Sequence, residues 1–353
     1  MKLERDRYVF TMVKVVVVGA NGYSGEELCA LLAAHPLATL ESVTSRKHAG
    51  KPVTEVLPRL AGRPGVNGVS FGPSTIEHLT ACEAPYVFLA LPHGLAGEFA
   101  APLVAAGKRV IDLSADFRLN DVTTYQEFYG EEHSAPDLLE KAVYGIPELH
   151  RAEIAKSQLV ASAGCYPTSI LLPLVPLLKA GLLDKDSIAV SSASGVSGAG
   201  RKADESLLFA ECNESFRSYS VPKHRHLSEI EQELSLAAGS TVTITFIPHL
   251  IPMNRGIHST IMAKPRSGVS AEEVAICLQT AYADEPFVRL PQGLPDTKNT
   301  VGTNFCDIAV RYDARTGRLI LLSAIDNLVK GAAGQAVQNF NLMAGFPETS
   351  ALL

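Results

Sequence analysis

Charge of one sign is scarce in this 353-residue chain: 31 Lys and Arg face 37 Asp and Glu, for a formal net charge of −6. That balance gives no electrostatic case for nucleic acid or an anionic membrane surface as a partner. The one dense basic stretch is Lys223-His224-Arg225-His226. Long apolar runs are missing too, and none reaches the roughly 18 residues of a membrane span. The opening MKLERDRYVFTM mixes charges and has no apolar core, which excludes a secretory signal peptide. Cysteine is sparse, at Cys29, Cys82, Cys165, Cys212, Cys277 and Cys306, with no C-x-x-C pair and no zinc-ligand spacing. Those spacings predict reduced thiols in a cytoplasmic protein, with no metal site.

What is present reads as an α/β chain. A 46% hydrophobic and 19% charged composition suits a compact enzyme. The length predicts about two domains of roughly 150 residues each. Val13–Val18 is a β-branched run of the kind buried on both faces of a parallel sheet. A glycine turn, a helical pattern over 26–35 and a second strand over 38–45 complete a βαβ unit. Further strands are predicted over 86–91 and 109–112, a loop around a short strand over 61–74, and a helix after Gly94. The polar, aromatic stretch 118–150 reads as irregular chain covering or walling a cleft. Beyond Cys165, strands over 187–194, 241–248, 256–263, 304–312 and 318–325 with a helix over 271–283 predict a mixed or antiparallel sheet. A helix over 328–345, rich in small residues, ends the pattern.

The turn Gly19-Ala20-Asn21-Gly22-Tyr23-Ser24-Gly25 fits a dinucleotide-binding loop. Gly19 suits the tight turn, Gly22 the approach of a pyrophosphate, and Gly25 close helix–strand packing. Asn21, Tyr23 and Ser24 complete the loop, whose N–H groups and helix dipole would face the anion. An NAD site usually carries a carboxylate at the end of the second strand. Here Ser45-Arg46-Lys47 stands there, and hydroxyl and cations suit the 2′-phosphate of NADP.

In ASAGCYPTS, Cys165 opens a helical pattern, where a helix N-terminus is expected to lower a thiol's pKa and make it a nucleophile. Gly164 leaves room for backbone and substrate to approach. Cys29, Cys82, Cys277 and Cys306 lie in apolar periodic stretches and read as packing residues, while the polar-flanked Cys212 is left open. His35 and His78 are expected on helix surfaces and His48 and His133 in loops. His224 and His226 flank Arg225 before a predicted helix and are the proton-transfer candidates. The loop from Gly195 to Arg201 offers Ser197, Gly198 and Arg201 for an anion, without the lysine spacing of a Walker loop. Arg118 follows a short strand and falls near the same cleft.

In order, GANGYSGEEL, FLALPHG, DLSADFRL, YGIPEL, GCYPT, SGVSGAGR, KHRHLSEI, HLIPMNRGI and AIDNLVKGAAGQAVQNFN resemble the N-acetyl-gamma-glutamyl-phosphate reductase family, from about Val13 to about Pro347. This family lies within the aspartate-semialdehyde-dehydrogenase-like superfamily. The resemblance implies a Rossmann-type NADP-binding domain over 1–164, to which a C-terminal helix over 328–353 returns. It also implies an α+β substrate and oligomerisation domain with a mixed sheet over 165–327, as in glyceraldehyde-3-phosphate dehydrogenase, and a homodimer or homotetramer. It implies reduction of a small acyl phosphate by NADPH in arginine biosynthesis: Cys165 forms a thioester, His226 moves the proton and His224 meets substrate. Arg118, Ser197, Gly198 and Arg201 would bind substrate, and Pro92, His93, Gly94 and Asn327 would lie by the cofactor. The chain departs from the family at Ala163, where proline is usual. A carrier-protein-linked aminoadipyl phosphate reductase would share this machinery. A non-catalytic NADP-binding sensor would need the glycine loop but not the thiol and histidines.

Overall fold

Four successive valines at 15–18 are fully buried, as a strand covered on both faces requires. They belong to β1 (Val13–Val18), and a computed structural model describes the chain over residues 12–353. Residues 1–11, which carried most of the signal-peptide argument, lie outside the described residues. β2 (Ala38–Thr44), β3 (Phe71–Gly72), β4 (Tyr86–Leu89), β5 (Arg109–Asp112), β6 (Ala142–Gly145) and β7 (Leu159–Ser162) join β1 in one sheet. Its order is β3-β2-β1-β4-β5-β7-β6, and every pairing is parallel. Strand order reverses between β1 and β4, and the crevice at the carboxyl ends of such strands is where open α/β sheets bind ligands.

Two differences from the sequence reading matter here. The first helix is Tyr23–Ala33, so the second half of the glycine loop is already helical. The stretch 118–150 is ordered rather than irregular. Asp121 caps a helix over Val122–Tyr129 by accepting from Thr124 N, and Gly130 closes it at φ +74°. β6 then supplies an edge strand, followed by a helix over Pro147–Lys156.

The second sheet contains β8 (Leu183–Gly195), β9 (Arg217–Ser218), β10 (Thr245–Ile251), β11 (Ile257–Pro265), β12 (Val288–Arg289), β13 (Cys306–Asp313) and β14 (Arg318–Ile325). The order β12-β13-β14-β11-β8-β10-β9 mixes parallel pairs (β8 with β10, β12 with β13) and antiparallel ones. One face packs on the helix Cys165–Lys179, whose Ile170, Leu174 and Leu177 are fully buried among Ile257, Ile261 and Leu321. The other face carries partly exposed Met262 and Ile320, paired across β11 and β14. The last helix, Gly334–Ala344, buries Ala336, Val337, Phe340 and Met343 against β1 and β4, with Phe340 edge-on to Tyr86 at 5.1 Å. His35, expected at a surface, is buried in this packing and lies 2.8 Å from Asn341 Oδ1. Among the described residues no helix is long and apolar enough to cross a membrane.

Candidate active site

The glycine loop opens a cleft of about 710 Å³ between the two sheets. Gly19 has φ +83°, and a Cβ there would run into the Ala90 carbonyl, so only glycine fits the turn. Gly19 N and Ala20 N donate to Thr44 O at 3.1 and 3.2 Å, tying the loop to the end of β2. Gly19, Asn21, Gly22, Tyr23, Ser24 and Gly25 all line the cleft, as do Ser45, Arg46 and Lys47. Arg46 and Lys47 are exposed, and neither forms an ion pair among the described residues. An open loop at a helix start beside two unengaged cations fits a phosphorylated dinucleotide.

A second cavity of about 510 Å³ lies on the other side of Cys165, lined by His93, Tyr129, Lys202, Arg217, Tyr219, His224 and Arg225, among others. Among the described residues, only Cys165, His226 and Gly198 border both spaces.

Cys165 is the first residue of its helix, with Gly164 as N-cap. Gly164 is needed for space. A Cβ on it would stand 2.7 Å from Glu229 Oε1 and 2.8 Å from both Arg118 Nη1 and His226 Nε2. Buried Arg118 and Glu229 and the partly buried His226 therefore converge on the peptide that presents the thiol. Arg118 donates from Nε to Ser162 O at 2.9 Å, from Nη2 to Leu113 O at 2.9 Å and from Nη1 to Glu229 Oε1 at 3.2 Å. Burial pulls the guanidinium's pKa down, but Glu229, Tyr129, Tyr144 and Asp112 together outweigh it and the net direction is up. Burial also pushes the Glu229 carboxyl above its ordinary value, against Arg118 and the Tyr144 hydroxyl that donates to Oε2 at 2.9 Å.

The sequence-based expectation for the thiol is overturned. Burial pushes the Cys165 pKa up to about 11, although Arg118 and the Tyr166 N–H pull it down. Desolvation thus outweighs the helix N-terminus in the free protein. A neighbouring base is then required, and His226 lines both cavities together with Cys165. Burial, His224, Arg118 and Arg225 hold its pKa well below the usual value, so the ring is neutral at pH 7. Its Nδ1 is buried without a hydrogen-bond partner, and its Nε2 lies 3.7 Å from Glu229 Oε1. His224 is the N-cap of the helix Arg225–Ala238, its Nδ1 accepting from His226 N at 3.1 Å. It packs edge-on to Tyr166 and Tyr219, both with ring centroids 5.5 Å away. Burial and Arg225 lower its pKa to about 4.

The remaining predicted residues divide between the cavities. Pro92 lines the first cleft, whereas His93 turns into the second, 2.9 Å from Arg225 Nη1. Gly94 borders neither; its N–H donates to Asp116 Oδ1 at 2.7 Å. Asn327 Nδ2 donates to Ser197 Oγ at 2.9 Å, and Ser197 Oγ donates to Asn254 O at 2.6 Å, so both also brace the loop. Arg201 lines the first cleft, paired with Glu26 and 4.8 Å over the Tyr23 ring. Sequence reasoning missed Glu229, Tyr144, Lys202 and Arg217. Glu229 and Tyr144 lie within KHRHLSEI and YGIPEL, and Lys202 directly follows SGVSGAGR, but only the fold brings these residues and Arg217 to the site.

Residues 14–157 match the family described as semialdehyde dehydrogenase, NAD binding domain, and residues 165–327 match semialdehyde dehydrogenase, dimerisation domain. The chain is 57% identical over 342 residues to N-acetyl-gamma-glutamyl-phosphate reductase of Akkermansia muciniphila, covering 96% of this chain and 98% of that protein. The same-named protein of Citrifermentans bemidjiense is 53% identical over 97% of this chain and 98% of its own length. In fold, the chain is similar to aspartate semialdehyde dehydrogenase II from Vibrio cholerae, with a TM-score of 0.71 and 17% identity over 95% of this chain and 99% of that one. The Candida albicans aspartate semialdehyde dehydrogenase solved with NADP gives a TM-score of 0.70 at 16% identity, over 94% of this chain and 98% of that one.

Proposed function

Because the chain belongs to the N-acetyl-gamma-glutamyl-phosphate reductase family, we propose that it reduces N-acetyl-glutamyl 5-phosphate to the 5-semialdehyde with NADPH, releasing phosphate. The observation that carries the reading is a thiol at a helix N-terminus, beside a neutral, partly buried imidazole, at the meeting of two cavities. The first cavity holds the nucleotide. Gly19, Asn21, Gly22, Tyr23, Ser24 and Gly25 receive the pyrophosphate, and Ser45, Arg46 and Lys47 the 2′-phosphate. The second holds the acyl chain, whose carboxylate meets Arg225, Arg217 or Lys202.

His226 takes the proton of Cys165, and the thiolate attacks the acyl carbon. The carbon–oxygen bond to phosphate breaks, leaving a thioester. N–H groups at the start of the Cys165 helix stabilise the oxyanion that forms on the way. Bound NADPH supplies the hydride that reduces the thioester. His226 returns its proton as the carbon–sulfur bond breaks, releasing aldehyde and restoring the thiol. His224 fixes the backbone of His226 and faces the substrate.

The dimerisation-domain match and the partly exposed outer face of the second sheet, with Met262 and Ile320, support a homo-oligomer built through that face. A biosynthetic role supports a cytoplasmic location. The reverse assay tests the whole reading: purified protein should reduce NADP in the presence of N-acetyl-glutamate semialdehyde only when phosphate is added. Phosphate-independent reduction, or none, refutes it.

A further inference from the structure

Gly164, Arg118 and Glu229 support Cys165 from one side. Its other side rests on a turn between β14 and the last helix. Residues Val329–Ala333 form a π-helical turn in which Ala333 N donates to Leu328 O at 2.9 Å. Such wide turns are rare and are often found at functional sites. Gly331 in this turn lies flat against the cysteine: a Cβ on it would stand 2.7 Å from Cys165 Cβ and 3.1 Å from Cys165 Cα.

The preceding residue, Lys330, enters a different environment. Its side chain is 0% exposed, and Nζ donates to Glu148 Oε1 at 2.6 Å and to Gln338 Oε1 at 2.8 Å. Gln338 Nε2 also donates to Glu148 Oε1, at 3.0 Å. Glu148 is equally buried and sits in the first turn of the helix that follows β6. The cluster therefore ties the turn to the edge of the first sheet.

Stability alone does not explain this arrangement. Removing two charges from water is expensive, and well-packed apolar residues of similar volume often serve a fold equally well or better. Glu148 Oε2 is even left buried without a hydrogen-bond partner. What an ion pair adds is one fixed geometry, since its charges are compensated at a single placement of the turn. We propose that Lys330, Glu148 and Gln338 are positioning residues that lock the π turn, so that Gly331 sets the seat of Cys165 between the two cavities. The proposal rests on the reading of Cys165 as the nucleophile.

The experiment uses the full-length protein and the variants Lys330→Met, Glu148→Gln and the double Lys330→Met/Glu148→Leu. Thermal midpoint, NADPH affinity, KM, kcat and the pH profile of Cys165 alkylation by iodoacetamide are measured for each. The double variant should keep the wild-type midpoint while kcat falls by roughly tenfold or more, as expected for a displaced reacting group. KM and NADPH affinity should stay within about twofold, and the alkylation profile should shift. Gly331→Ala, which pushes on Cys165 and leaves the ion pair intact, should shift the alkylation profile in the same way. A stable double variant with wild-type kcat and alkylation overturns the proposal. So does a double variant that fails to fold, because the pair would then serve stability. Substantial turnover by Cys165→Ser would instead sink the nucleophile reading, whereas alkylation reports the seat of Cys165 independently of that reading.

Discussion

Gly164→Ala adds one methyl group where three side chains, two of them buried, converge. The backbone there has φ −70° and ψ 160°, which alanine adopts freely, so any cost comes from contacts. The new Cβ would lie 2.7 Å from Glu229 Oε1 and 2.8 Å from Arg118 Nη1 and His226 Nε2, all inside van der Waals contact. Arg118 cannot retreat without straining its bonds to Ser162 O and Leu113 O, and Glu229 is held by Tyr144. Overpacking of this kind costs about 1–3 kcal/mol. If Arg118 and Glu229 part, the cost rises towards the roughly 3–5 kcal/mol of a broken buried pair. His226 must also move by a fraction of an ångström, and a misplacement of about 1 Å costs roughly 10²-fold in rate. We therefore expect a loss of about 1–3 kcal/mol in urea denaturation and a kcat reduced by roughly 10- to 100-fold in the reverse assay. A Gly164→Ala protein with wild-type midpoint and kcat would refute the convergence of these groups on the peptide before the thiol.

Arg46→Ala/Lys47→Ala should weaken NADPH binding by roughly tenfold or more, about 1.4 kcal/mol, and leave NADH nearly unchanged by fluorescence titration; equal losses for both would remove the 2′-phosphate assignment. His226→Asn should lower kcat by roughly 10²–10⁴ with cofactor affinity intact. His224→Asn keeps a helix-capping side chain and should mainly raise KM; the reverse pattern exchanges the two roles. With the Cys165 thiol pushed up to about 11, only the small deprotonated fraction reacts at neutral pH. Alkylation of the free protein should therefore rise about tenfold per pH unit between pH 7 and 10 and level off above the pKa. A midpoint below 8 would contradict the burial account.

Much of the first sheet was legible because its determinants are local. The buried valines of β1, the glycines of the following turn and the strand over 38–45 each carry their own pattern. In the second sheet β8, β10, β11, β13 and β14 each overlap an expected strand, whereas β9 and β12 are two residues each and leave no periodicity. The helix Val122–Tyr129 was missed although Asp121 and Gly130 bracket it, because aromatic and polar residues hid its caps. Cys165 and the histidines stood out by their flanks, but the electrostatics around them did not. Arg118 and Glu229 are 111 residues apart, and burial, the largest influence on the thiol, exists only once the chain has folded.

The meeting of the two cavities at Cys165, His226 and Gly198 separates traffic. On the proposed assignment, nucleotide and acyl ligand would use different doors and meet at the window that those three residues line. Neither spent cofactor nor finished aldehyde would then have to queue behind the other, and departure in either order would follow. The same layout is a weakness: one molecule wedged through the window would shut both doors at once, although it occupied neither room in full.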